Sequence, residues 1–269
     1  MADQIPEDIA SALRASVPDR GVFGARLFYA AEVTSTNDLA TAAAERGDPE
    51  GTTFVAGAQT AGRGRLGRTW FSPPDAGLYI STIVRRRSVA PWLTLAGGVA
   101  VAEGIRAATG LPLQIKWPND IVAVGGAGFR ARRKLAGILA EASSGPDGVT
   151  YIVLGIGINL RASAFPLELA DRATSIETEL GREVDSGLVL AEVLASLYRT
   201  LAAIDTSGSA SLRAQWTALA PSATGAAIEF DGPDGPEKGV TAGLADDGAL
   251  LARTPGGLAR IIAGEVRWG

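Results

Sequence analysis

From Gln59 to Trp70 the chain reads Gln-Thr-Ala-Gly-Arg-Gly-Arg-Leu-Gly-Arg-Thr-Trp, between apolar, strand-like stretches at Thr52–Ala58 and Leu78–Val84. Gly62, Gly64 and Gly67 are interleaved there with Arg63, Arg65 and Arg68. Glycine opens φ > 0 and lets a ligand approach the main chain. Arginine supplies a permanent charge and a planar fork of donors for carboxylate or phosphate oxygens. The segment reads as a mobile cationic loop, carried between strands, that closes over an anionic small molecule. Gly/Arg runs also occur as disordered tails that touch nucleic acid loosely. Those are long and terminal, whereas this one is short and internal.

The chemistry available to such a site is narrow, because the 269 residues contain no cysteine and no histidine. Disulfides and thiolate metal sites are excluded. So are Ser-His-Asp, Cys-His and zinc-hydrolase chemistries, which need imidazole as base or ligand. Carboxylates, amides, Lys, Arg and backbone donors remain. A hydrophobic share of 46% against 20% charged is that of a globular chain, long enough for one large domain or one large and one small. The net charge of −4 argues against general nucleic-acid affinity despite the arginine cluster. The first residues, Met1–Asp8, are acidic and unlike a secretory signal. The most apolar run, Trp92–Ala108, carries Glu103 and Arg106 and reads as too short to span a bilayer. The expectation is a cytoplasmic protein with no membrane partner.

Ahead of the loop, residues 6–16 are expected to form a short helix with Ile9, Leu13 and Val17 on one side, and Phe23–Val33 a strand. Thr34-Ser35-Thr36-Asn37-Asp38 then places cap-type residues before an alanine-rich helix that stops at Gly47. Either Ser35, Thr36 and Asn37 merely cap that helix, or their spare hydroxyls and amide make a polar ligand site at its N-terminus. The local sequence favours the cap. Beyond the loop, Arg85-Arg86-Arg87 reads as a solvated turn and Pro91 opens a long buried helix, Trp92–Ala108. Gln114–Val122 is an apolar strand pattern interrupted at Pro118, Gly125–Arg133 a loop, and Lys134–Glu141 and Tyr151–Leu160 two more strands. Leu190, Leu194, Leu197, Leu201 and Ile204 mark a helix over 187–204. From Pro221 short apolar runs (227–230, 239–244, 249–252, 259–263) alternate with Gly, Pro and Asp turns, the texture of a small β-barrel.

Against 22 arginines there are three lysines, Lys116, Lys134 and Lys238. Coding bias of the source genome explains such an excess. Lys116 and Lys134 nevertheless sit in strand-like segments beside polar or glycine residues, where a compact point charge suits a phosphate or carboxylate oxygen. Asp120, with Asn119, is the carboxylate best placed to hold Mg²⁺ through oxygen ligands. Taken singly, Asn119-Asp120 is better read as a post-proline turn.

Ser35-Thr36-Asn37, the loop Gln59–Trp70, Lys116-Trp117-Pro118-Asn119-Asp120, Lys134-Leu135-Ala136-Gly137-Ile138 and Gly155-Ile156-Gly157-Ile158-Asn159 together resemble the biotin–protein ligases in order and approximate spacing. The resemblance covers about residues 30–160, and the tail at 262–266 is similar to that family's small SH3-like domain. It implies an α+β chain: an N-terminal segment at 1–25, a mixed-sheet biotin/lipoyl ligase-like catalytic domain at 26–220, and an SH3-like β-barrel at 221–269.

The reaction implied has two steps. Biotin's carboxylate attacks the α-phosphate of ATP to give biotinyl-5′-adenylate and pyrophosphate, and the acyl group then passes to a lysine of a biotin carboxyl carrier domain of an acyl-CoA carboxylase. Positioning and charge stabilisation suffice for it, so a chain without histidine or cysteine can perform it. By the resemblance, Ser35, Thr36, Asn37 and Gln59 bind biotin, and Arg63, Gly64 and Arg65 belong to the loop that closes over the adenylate. Lys134 lies near the carboxylate–phosphate junction, Lys134 and Arg63 being catalytic and both reaching biotin. Arg65, Arg68, Trp70, Lys116, Asn119 and Asn159 are on the nucleotide side, with Asp120 on Mg²⁺. Fewer residues precede Ser35 than a winged helix-turn-helix needs, so the expectation is a short form without DNA binding. A homodimer through the central sheet is open by analogy. A lipoyl or octanoyl transferase and a non-enzymatic biotin sensor are the alternatives.

Overall fold

The computed structural model describes residues 3–124, 132–146, 148–232, 235–262, 264 and 266–268. The chain begins with α1 (Glu7–Ala15), α2 (Val17–Arg20), β1 (Leu27–Val33), α3 (Thr36–Glu45), β2 (Thr53–Gln59), β3 (Gly77–Val84) and α4 (Leu93–Thr109). It continues through β4 (Leu113–Lys116), β5 (Asp120–Ala123), β6 (Lys134–Gly145), β7 (Gly148–Asn159), α5 (Ile176–Leu180), α6 (Ser186–Ser207) and α7 (Ser209–Leu219). It ends in β8 (Thr224–Gly232), β9 (Gly235–Leu244), β10 (Leu250–Thr254), β11 (Gly257–Ile261) and β12 (Val266–Trp268).

Among the described residues, seven strands form one sheet in the order β1-β2-β3-β7-β6-β5-β4. β1 and β2 run parallel, joined by α3, and the other neighbours are antiparallel. Both faces of the middle strands are covered, which is why β3 is buried along its whole length rather than in alternation. Ile152, Leu154, Ile156 and Ile158 of β7 face α4 and α6. Tyr151 and Val153, one residue out of phase, join Ala40, Ala43 and Ala44 of α3 on the other face. The leucines at 190, 194, 197 and 201 form the buried stripe of α6. A Cβ on Gly104 would lie 2.6 Å from the Val193 backbone, so α4 and α6 cross with their main chains nearly touching. The second sheet, in the order β11-β10-β9-β8-β12, docks beside the β4–β5 turn. There Trp117 Nε1 donates to the Gly248 carbonyl at 3.4 Å.

Several expectations change. The first helix stops at Ala15, and Val17 is 55% exposed because Pro18 starts a separate helical turn. The first strand begins at Leu27, leaving Phe23 fully buried in the preceding turn. Gln114–Val122 is a hairpin that turns at Pro118. The arginine triplet is no solvated turn. Arg85 donates to the carbonyl of Ala44 in the last turn of α3 and to that of Asp48 just past it, and Arg86 pairs with Glu50 and Asp205. The expected loop lies at 125–131 outside the described residues, while Arg133 pairs with Glu179 at 2.7 Å. The apolar run is also longer than it reads: with its preceding helical turn it spans Arg87–Thr109, and this helix and α6 are each long and apolar enough to cross a membrane. Each has 67% of that apolar window buried inside the protein.

Leu194→Ala in α6 should cost about 2–5 kcal/mol through the cavity it leaves. Leu188→Ala on the exposed side of the same helix should stay within about 0.5 kcal/mol. Urea unfolding of both variants checks the assignment of the two faces.

Candidate active site

The site is built where β2 ends and α3 begins. Parallel pairing sets Val33 of β1 against Gln59 of β2, so the Gln59 side chain lies beside the chain entering α3. The Ser35 hydroxyl makes no capping bond. Instead Gln59 Oε1 accepts from the Thr36 amide at 2.8 Å and the Thr36 hydroxyl at 3.1 Å, capping the helix from another strand. Asn37 turns inward. Its Nδ2 donates to Glu141 Oε2 at 2.5 Å, and its Oδ1 lies 2.5 Å from the Ser81 hydroxyl of β3. Ser35, Thr36 and Asn37 are all buried, so a purely capping role does not describe them.

Facing these groups is a floor without side chains. Gly137 of β6 pairs with Gly157 of β7, and Gly155 lies opposite Leu139. A Cβ at Gly155 would collide with the Asn37 amide, and one at Gly157 with the Trp70 indole. Gly137 is as constrained, since its Cβ would fall 2.9 Å from the Trp70 ring. The pairing row continues outward from Gly157 and Gly137 to Asp120 of β5 and Lys116 of β4. Lys134 stands at this row, its Nζ 2.6 Å from Asp120 Oδ1 and 5.1 Å from the centre of the Trp70 ring.

The Gly/Arg loop folds back on itself over the floor. Gly64 N donates to Arg68 O and Trp70 N to Gly62 O, with Leu66 (φ 56°) and Gly67 (φ 72°) turning the tip in the left-handed region. Arg63 Nη1 reaches Asp38 at 2.5 Å and Nη2 reaches Glu141 at 3.0 Å. Burial pulls the Arg63 pKa down, but hydrogen bonds to those carboxylates outweigh it and hold the value above the ordinary one. Arg65 is in the opposite state. Desolvation lowers its pKa against the pull of Asp120, with Arg68 adding repulsion, and its hydrogen bond goes to the neutral Asn119 oxygen at 3.3 Å. A half-buried guanidinium so poorly compensated favours an incoming anion.

Ser35, Thr36, Asn37, Gln59, Arg63, Gly64, Arg65, Trp70, Asn119 and Lys134 line one cavity. It holds only about 50 Å³, because Trp70 and the loop fill it. A ligand pocket is on the order of 300–1,000 Å³, so the cavity is narrow for one with Trp70 and the loop in these positions. Asp120 touches this cavity through Lys134. Arg68, Lys116 and Asn159 are not in its wall. Asn159 shares the glycine face but lies past its end, buried, donating to the Thr174 carbonyl at 2.9 Å. Lys116 lies farther out on the same row, 6.0 Å from the Trp268 ring of the second sheet. Sequence reading missed Glu141, Ser81 and Asp38 as parts of the site. The available signal was a polar residue beside apolar ones within each strand, Ser81 in β3 and the carboxylate of Glu141 in β6.

Residues 29–159 match the biotin/lipoate A/B protein ligase family. The chain is 35% identical to the bifunctional ligase/repressor BirA of Bacillus spizizenii over 253 residues, covering 92% of this chain and 75% of that protein. It is 35% identical to the biotin–[acetyl-CoA-carboxylase] ligase of Paracoccus denitrificans over 220 residues, covering 78% of this chain and 88% of the other. The biotin protein ligase from Aquifex aeolicus, solved with biotin and ATP, superposes with a TM-score of 0.76 at 29% identity, over 91% of this chain and 99% of that one. Sheet, loop and glycine floor thus define a protein ligase of the biotin/lipoate type. With relatives matched along most of their length, the chain belongs to the biotin–protein ligase family.

Gly155→Ala should leave the fold intact and weaken biotin binding at least tenfold by displacing the Asn37 amide, since a polar group left unpaired in the site costs about 1–3 kcal/mol. Titration calorimetry with biotin, beside far-UV dichroism for the fold, gives the measurement.

Proposed function

We propose that the site makes biotinyl-5′-adenylate from biotin and ATP and passes the biotinyl group to a lysine of a biotin carboxyl carrier domain of an acyl-CoA carboxylase. The observation that carries this is the order of groups along one slot. Neutral donors and acceptors (Thr36, Asn37, Gln59) stand at one end, bare glycine in the middle, and Lys134 and Arg65 at the other, with Asp120 behind Lys134 and Lys116 farther out on the same strand row. That sequence suits a ligand with a polar uncharged ring, a thin chain, a carboxylate and then a phosphate.

In the first step a biotin carboxylate oxygen bonds to the α-phosphorus and the α–β anhydride bond breaks, releasing pyrophosphate. Both reactants are anions, so their approach is repulsive unless cations stand between them. Lys134 and Arg65 take that part, while Arg63 and the loop cover the adenylate and keep water from the mixed anhydride. In the second step the carrier lysine's neutral amine bonds to the acyl carbon, the carbon–oxygen bond to phosphate breaks, AMP leaves, and the nitrogen's surplus proton passes to solvent. Asp120 is the residue that would hold Mg²⁺. Among the described residues no cluster of three acidic, His or Cys side chains exists, so the donor set fits an ion bound mainly through nucleotide phosphates. Mg²⁺ there would neutralise phosphate charge. Arg68, Lys116, Trp70 and Asn119 are assigned to the nucleotide side, with Asn159 supporting it from below.

We assign residues 26–220 to the catalytic unit, 221–269 to a small β domain and 1–25 to a leading segment. The reading includes a cytoplasmic reaction without DNA or membrane partners, in keeping with the net charge of −4. A homodimer through the central sheet is included too. Among the described residues β5 pairs with β6 only as far as Gly137, which leaves one edge of β6 from Leu139 to Gly145 open to another strand.

Mass spectrometry of a carrier-domain fragment incubated with the protein, biotin and MgATP should show one added biotinyl group that disappears without ATP. Gain from lipoate or octanoate instead, or binding of biotin with no transfer, would overturn the assignment. Lys134→Ala should slow adenylate formation about 100-fold or more, in the range for losing one transition-state donor. Arg63→Ala should release adenylate about tenfold faster while changing biotin affinity less than about twofold, consistent with a charge-assisted bond of about 1.5–3 kcal/mol. A pyrophosphate-release assay and retention of labelled adenylate on the protein measure the two.

A further inference from the structure

We propose that Glu141 is a positioning residue that couples seating of biotin's ring end to closure of the arginine loop; this rests on the function proposed above. Glu141 sits in β6 opposite the fully buried Val153 of β7. One of its oxygens, Oε2, accepts from both Asn37 Nδ2 at 2.5 Å and Arg63 Nη2 at 3.0 Å. Asn37 belongs to the wall at the ring end, and Arg63 to the cover. A single carboxylate oxygen therefore serves the two parts of the site that must act together.

The other arm of Arg63 holds Asp38 on α3, so the guanidinium bridges the helix and strand β6. Arginine has five N–H donors, and these two bonds leave others for a phosphate oxygen. Sharing makes the coupling directional. A ligand that takes over the Asn37 amide leaves Oε2 to Arg63 alone, and the hold on the loop tightens as the ring is seated. Exposed ion pairs contribute little to stability in isolation. Here the pair's effect is on where Arg63 stands rather than on how stable the fold is.

Glu141→Gln keeps an acceptor oxygen for Asn37 and removes the charge facing Arg63. With adenylate formed from biotin and MgATP and free ligand removed, the variant should lose adenylate about five- to tenfold faster than the unsubstituted protein, the difference between a charge-assisted and a neutral hydrogen bond. Its biotin affinity should stay within about twofold. In the Arg63→Ala background the same substitution should cause no further acceleration, because the charge then has nothing to act through. Loss at the unsubstituted rate, or effects that multiply in the double variant, would overturn the coupling. If the unsubstituted protein forms no adenylate at all, the proposed reaction is what fails.

Discussion

The site depends on the closeness with which side chains can lie on β6 and β7, and that closeness exists because Gly137, Gly155 and Gly157 carry no Cβ. Asn37 lies against Gly155, and the Trp70 indole against Gly157 and Gly137. A methyl group at any of them would lift the wall or the cover off the sheet. Such a floor has a cost, since glycine inside a strand loses more conformational freedom on folding than other residues. The cost is offset by position. These are central strands, paired on both sides and covered by packed helices.

Charge is arranged around the floor to suit anions that are not yet there. Lys134 is held by Asp120, and Arg63 by Asp38 and Glu141, so both are fixed in place by carboxylates. Arg65 bonds to the neutral oxygen of Asn119 and is partly desolvated, a cost that outweighs the pull of Asp120. Preorganised cations and an under-compensated one together make a site that favours developing negative charge without rearranging to meet it. Trp70 lies over the floor, its Nε1 buried without a hydrogen-bond partner among the described residues. A ligand that displaces the ring also frees that donor.

Much of this was legible in the sequence. The Gly/Arg loop, the cap-type run at Ser35–Asn37, Lys134 beside Gly137, and the 3–4 spacing of leucines in α6 are local patterns whose physics is short-ranged. They found the loop, the helix start and the main core helix, while the family resemblance, rather than any local pattern, gathered ten residues of the cavity wall. The errors came where local patterns are ambiguous. Arg85–Arg87 reads as a solvated turn, because nothing nearby shows that carbonyls at the C-terminal end of α3 and the carboxylates of Glu50 and Asp205 lie within reach. Phe23 reads as strand because its apolar character is the same in a buried turn.

The sequence alone determined which chemistry was available: no imidazole or thiol, a short cationic glycine loop, two lysines in strand-like segments. These are properties of residue types and do not depend on where the chain goes. Only the tertiary structure decided which of those residues meet. The parallel pairing of β1 with β2 brings Gln59 to the start of α3. The antiparallel row from Gly157 to Lys116 sets one side chain in the cavity wall and another beside the second sheet. Glu141 enters the site across 104 residues of chain from Asn37. Pairing register fixes such contacts, and register is settled by packing over the whole sheet rather than by any one segment.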